Sequence, residues 1–198
     1  MRYDKISLLT ALLVLSSTVS PLARTQNAPG KDAGQTALLE TSLGYTYVHA
    51  NAPPALCGCF SANGGYGSLA FNLPHGVSIV ADLASVHANT VGATTQTITL
   101  FNYLFGPRYT FRGISRRFLP YGQVLGGREK EFSSYTTVQN VKGFAFSLGG
   151  GVNMPLNHHF SWNLFEADWV GARVPNGQNN IENDLRISSG VTLRFGHR

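Results

Sequence analysis

The chain has 198 residues, and only 13% of them are charged, although its mean hydropathy is close to zero. That charge fraction is about half of what a soluble globular domain carries, and a single long apolar run, at the N-terminus, excludes a bundle of membrane helices. The net charge of +5 is mild and scattered, so there is no basic stripe for nucleic acid.

Arg2 and Lys5 precede an apolar stretch from Ile6 to Val19, and Pro21, Leu22 and Ala23 follow it. This is the layout of an export signal, too short and too polar to span a bilayer as a helix, with processing expected after Ala23. Residues 24–37 are polar with Gly and Pro and read as a flexible leader. From Leu38 to Gly196 the apolar residues recur with a period of two, which predicts strands.

The first strand is predicted at 38–48, with Leu39, Thr41, Leu43, Tyr45 and Tyr47 on one face and Glu40, Ser42, Gly44 and Thr46 on the other. The second, at 64–73, sets Leu69, Phe71 and Leu73 against Tyr66, Ser68, Ala70 and Asn72; the third, at 77–87, sets Val77, Ile79, Ala81 and Leu83 against Ser78, Val80, Asp82 and Ala84. The fourth, at 96–112, aligns Phe101, Tyr103, Phe105, Tyr109 and Phe111 opposite Asn102, Gly106, Arg108, Thr110 and Arg112. The fifth, at 118–128, has two mixed faces. Strands at 141–154, 160–171 and 184–195 follow; the last opposes Leu185, Ile187, Val191, Leu193 and Phe195 to Arg186, Ser188, Gly190, Thr192 and Arg194. The connections alternate between long (49–63, 88–95, 129–140, 172–183) and short (74–76, 113–117, 155–159). An up-and-down barrel with both termini at one end has this rhythm.

Alternation also suits a soluble barrel, so the location of the charges decides. Glu40, Asp82, Arg108, Glu166, Asp168, Arg186 and Arg194 all fall on the small, polar face, and the apolar face is nearly free of charge. Burying such ions in an apolar core costs several kcal/mol each unless they are paired (on the order of 5 kcal/mol). A polar lumen with opposite charges in reach costs far less. The expectation is an all-β protein: an eight-stranded antiparallel up-and-down transmembrane β-barrel over residues 38–196. Tyr45, Tyr47, Tyr103, Tyr109, Phe111, Trp169 and Phe195 would form its interfacial belts.

The segments NYLFGPRYTFR (102–112), FAFSLGGGVNMPLNHHFSW (144–162), FEADWV (165–170) and LRISSGVTLRFG (185–196) resemble the barrel domain of the outer membrane protein A-like superfamily, especially its small porin-family barrels. The resemblance implies an outer-membrane location, contact with outer-membrane lipids and lipopolysaccharide, and insertion by the barrel assembly machinery. It also implies that Phe195, the last aromatic of the last strand, serves as an assembly signal, although Gly196, His197 and Arg198 follow it.

Three candidate sites arise. A lumen charge network of Glu40, Asp82, Arg108, Glu166, Asp168 and Arg186 is expected either to hold the barrel shut or, if re-paired, to pass ions. Residues of an acyl-transfer site are present as His159, Ser161 and Glu166, with His159 and Ser161 expected on one strand face and Glu166 on the other. The polar loops, including the Cys57-Gly58-Cys59 segment, could carry surface binding. The basic turn Arg112, Arg116 and Arg117 reads either as a phosphate contact or as a solvated turn. The glycine runs lie within strands with no helix after them, so they suit close packing rather than phosphate binding. No cofactor or metal is expected, and a monomer is. The leading reading is a non-enzymatic barrel serving membrane integrity or surface interaction, followed by a small pore and then by a lipid-modifying enzyme.

Overall fold

The computed structural model describes residues 37–51, 59–91, 97–115, 117–134, 141–174 and 180–197. The expected export signal, most of the leader, and Cys57 and Arg116 lie outside them. The described residues form β1 (Ala37–Asn51), β2 (Cys59–Asn72), β3 (Val77–Ala88), β4 (Ile98–Thr110), β5 (Leu119–Ser133), β6 (Val141–Pro155), β7 (Phe160–Arg173) and β8 (Glu182–His197). Each strand pairs antiparallel with the next, and β8 closes on β1 to complete the barrel. Closure leaves no strand edge, which a lipid environment demands. One end of the barrel holds the start of β1 and the end of β8 (the terminal end); the other is the loop end.

The strands run farther toward the loop end than their hydropathy suggests. Residues 59–63 belong to β2 and not to a loop, because Phe60 and Ala62 turn inward opposite Ala50 and Val48. Likewise Glu129, Lys130 and Glu131 are not loop residues: they extend β5, pairing with Gly143, Lys142 and Val141. The density of charge there looks like a loop, yet the two acids point in and the lysine points out, which keeps the strand period intact. The alternation of connection lengths holds only in part, since the terminal-end connection 111–118 is as long as those at the loop end.

The outward face is apolar. Leu43, Leu83, Val124, Leu148, Phe105 and Val191 are among its exposed side chains, with Leu43 65% exposed. Tyr45, Tyr109, Phe111, Trp169 and Phe195 are exposed on the same face. A soluble barrel would have this pattern inverted.

The inward face is less uniformly polar than expected. Val48, Phe60, Val86, Ile98 and Leu100 form an apolar cluster inside the loop end of β1–β4. A second cluster, including Val80, Leu104, Leu125 and Ala145, winds from β2 across to β7. The barrel therefore has a true core in its interior, as a narrow eight-stranded interior filled by side chains should.

Irregular pairing in β7 matters most for the site. The register of β7 against β8 shifts between Asn163 and Glu166, and β6 shifts against β7 between Val152 and Asn153. The extra residue of such a bulge flips the side-chain phase. Ser161 and Asn163 point inward, Phe165 points out, and Glu166 and Asp168 point inward again. This corrects the expectation that Ser161 and Glu166 occupy opposite faces.

Candidate functional site

Halfway along the lumen, β3, β4, β5, β7 and β8 bring their polar side chains to one place. Arg186 of β8 is completely buried. Its guanidinium donates to Asp82 at 2.5 Å, to Asp168 through Nε at 3.3 Å and Nη2 at 2.8 Å, and to Glu166 at 3.4 Å. Arg108 of β4 completes the ionic set, meeting Glu166 at 3.5 Å and donating to Gln123 Oε1 at 3.0 and 2.7 Å. Gln123 passes the chain onward by donating to Asp168 Oδ1 at 3.0 Å.

A layer of neutral groups finishes the satisfaction of these ions. The Tyr121 hydroxyl donates to Glu166, and the Tyr121 ring lies 4.2 Å under the Arg108 guanidinium. Asn163 donates to the hydroxyls of both Tyr66 and Tyr121 at 3.2 Å. Gly149 and Gly151 of β6 make room for this layer. A Cβ at Gly149 would stand 2.1 Å from Asp168 Oδ1 and 2.3 Å from the Ala167 carbonyl oxygen, and one at Gly151 would stand 2.7 Å from the Tyr121 hydroxyl.

Of the six charges singled out in the sequence, the structure joins five: Asp82, Arg108, Glu166, Asp168 and Arg186. Glu40 lies apart, toward the terminal end, where it pairs with Arg194 at 3.4 Å. Hydroxyl pairs Ser42–Thr192 and Thr46–Ser188, each at 2.8 Å, line the wall near the same seam. Sequence reasoning missed Gln123, Tyr121, Tyr66 and Asn163 as members. The polar phase break between Asn163 and Glu166 was the available signal for the bulge that gathers them.

At the loop end a second set of ionisable groups behaves differently. Glu129, Glu131, Glu182 and Asp184 face one another inside the mouth and interact electrostatically. Among the described residues, neither Glu129 carboxylate oxygen has a hydrogen-bond partner although both are buried, and the same holds for Asp184 Oδ1 and Asn102 Oδ1.

The remaining candidates do not assemble. His159 is exposed in the β6–β7 turn, and Ser161 is buried in the wall. Arg112 and Arg117 are exposed at the 111–118 connection, where Arg117 lies 5.8 Å from the Phe118 ring centre. Cys59 is exposed at the start of β2. Phe195 is 48% exposed on the outward face of β8, opposite Leu39.

A closed antiparallel barrel of eight strands with an apolar exterior and a packed ionic interior is the fold of the small outer-membrane β-barrel proteins. Among solved structures the chain is similar to Neisserial surface protein A (TM-score 0.62, 12% identity, covering 82% of this chain and 99% of that one). It is also similar to the attachment invasion locus protein Ail of Yersinia pestis (TM-score 0.56, 12% identity, 79% and 97%). A third is the outer membrane protein OprG of Pseudomonas aeruginosa (TM-score 0.53, 12% identity, 82% and 97%). No protein-family model and no curated protein matches the sequence.

Proposed function

We propose that this chain is an outer-membrane barrel whose lumen is sealed, and that it acts through its wall and loops, in membrane integrity or surface interaction, rather than as a channel or an enzyme. The observation that carries this reading is Arg186, wholly shielded from solvent at mid-lumen and held by carboxylates from two other strands. An ion crossing the barrel would have to break that cluster, and buried apolar side chains occupy part of the interior as well, among them Val48, Phe60 and Leu100 at the loop end and Val80, Leu104 and Leu125 in the second cluster. Against an acyl-transfer enzyme, Ser161 is buried while His159 is exposed, so the base does not face the nucleophile. The partners that fit are outer-membrane lipids and lipopolysaccharide around a monomer, with the barrel assembly machinery reading Phe195.

The test is single-channel recording of the refolded chain in planar bilayers. Electrical silence is expected across the usual voltage range. Regular conductance steps that persist after repurification would overturn the sealed-lumen reading and favour a small pore.

A further inference from the structure

Charge in this barrel is segregated by the wall. Every Asp and Glu among the described residues occupies a lumen-facing position, whereas the outward face carries only cations. Four of these cations meet at the loop-end rim. Arg128 of β5 and Arg173 of β7 flank Phe144 of β6 in one cross-strand row, and Lys130 stands directly opposite Lys142 in the next. Arg128, Lys142 and Arg173 are exposed, and Lys130 lies 5.5 Å from the Tyr103 ring centre. Among the described residues none of the four forms an ion pair. The sequence segments 52–58, 92–96, 135–140 and 175–179, which join the strands at this end, contain no Asp or Glu. Like charges placed directly opposite across two strands repel. An anion from outside the chain would relieve that repulsion.

Directly below this rim is an outward-facing apolar groove of about 450 Å³, lined by Phe144, Phe146, Trp169, Gly171 and Ile181, with Arg173 at its upper edge. The Phe146 ring lies over Gly171, where a Cβ would come within 2.7 Å of it, and packs edge-on against Trp169 at 5.1 Å. Glu182 also borders the groove, but its carboxyl interacts with the other acids inside the mouth. An apolar slot crowned by unpaired cations matches an amphiphile with an acyl chain and a phosphate.

We infer that the β5–β7 rim binds an acylated lipid of the outer leaflet whose phosphate is a monoester with no cation of its own, with that phosphate on Arg128, Lys130, Lys142 and Arg173 and an acyl chain in the Phe146–Gly171–Trp169 groove. Arginine gives phosphate two parallel donors and lysine adds a point charge, both strengthened where water is thin. The inference rests on the outer-membrane reading with the loop end outward, but not on the lumen being sealed.

The chain folded in detergent micelles is titrated with bisphosphorylated lipid A, and retained lipid is read by native mass spectrometry. One lipid A held per barrel is expected. Arg128→Gln/Lys142→Gln/Arg173→Gln should weaken retention by on the order of a hundredfold, at about a factor of five per charge. Heat-dependent gel mobility checks that the variant is folded, and the three single variants serve if it is not. Lipid A stripped of its phosphates should be retained as poorly as phosphatidylcholine, and inorganic phosphate should fail to displace the bound lipid. Equal retention by wild type and variants, equal retention of phosphatidylcholine, or full displacement by inorganic phosphate would each overturn the site. Channel recordings stay silent in all these cases if the lumen is sealed, so the two readings fail separately.

Discussion

Replacing Arg186 with methionine is expected to destabilise the folded barrel by about 3–5 kcal/mol, the usual cost of stripping one partner from a buried ionic cluster. The size follows from what is left behind. Asp82, Glu166 and Asp168 are each at most 2% exposed, and all three rely on the Arg186 guanidinium. Of these three acids, Arg108 meets only Glu166, at 3.5 Å. The midpoint of urea unfolding, followed by the emission of Trp162 and Trp169, reads the loss directly. Adding Asp82→Asn and Asp168→Asn to the same chain should recover part of it, because the uncompensated charge is then smaller. A midpoint for Arg186→Met indistinguishable from wild type would mean that the cluster is hydrated and that the lumen is open.

Gly149→Val is expected to cost about 1–3 kcal/mol, the range for forcing extra methyl groups into a filled interior. A branched side chain at 149 would collide with the Ala167 carbonyl oxygen, which is backbone, and with Asp168 Oδ1, which must then leave Gln123. Gly126→Val is the control: a Cβ there meets nothing within 4 Å, so its unfolding midpoint should stay within about 0.5 kcal/mol of wild type. Equal effects at the two positions would show that backbone freedom, not crowding around Asp168, sets the requirement for glycine at 149.

Most of the wall could be read in the sequence, for a physical reason. Each spanning strand must put apolar groups on lipid and polar groups on the lumen, so a period of two runs through β1, β3, β4 and β8 almost without interruption. The reading failed where two demands conflict. In β5 the Gly126–Gly127 pair blurs the alternation, and Glu129–Glu131 puts strand residues of opposite charge side by side, so the strand seemed to end before its last five residues. In β2 the inward face at Phe60 and Ala62 is apolar, because the loop end of the lumen is packed rather than wet, and a rule of polar residues inside cannot find it. The ionic residues of the lumen announced themselves as charges on the small face. Their neutral partners did not, since Gln123, Tyr121 and Asn163 resemble any polar strand residue until the bulge in β7 brings Glu166 beside them.

The central claim is that the polar face turns inward and the apolar face meets lipid. Refolding the chain into lipid vesicles and running it unboiled and boiled on a denaturing gel, with circular dichroism alongside, tests this most directly. A β-rich spectrum with a band that shifts on boiling is the predicted result. A chain that stays soluble and β-rich without lipid or detergent, and shows no shift, would contradict it and put the charged face on the outside.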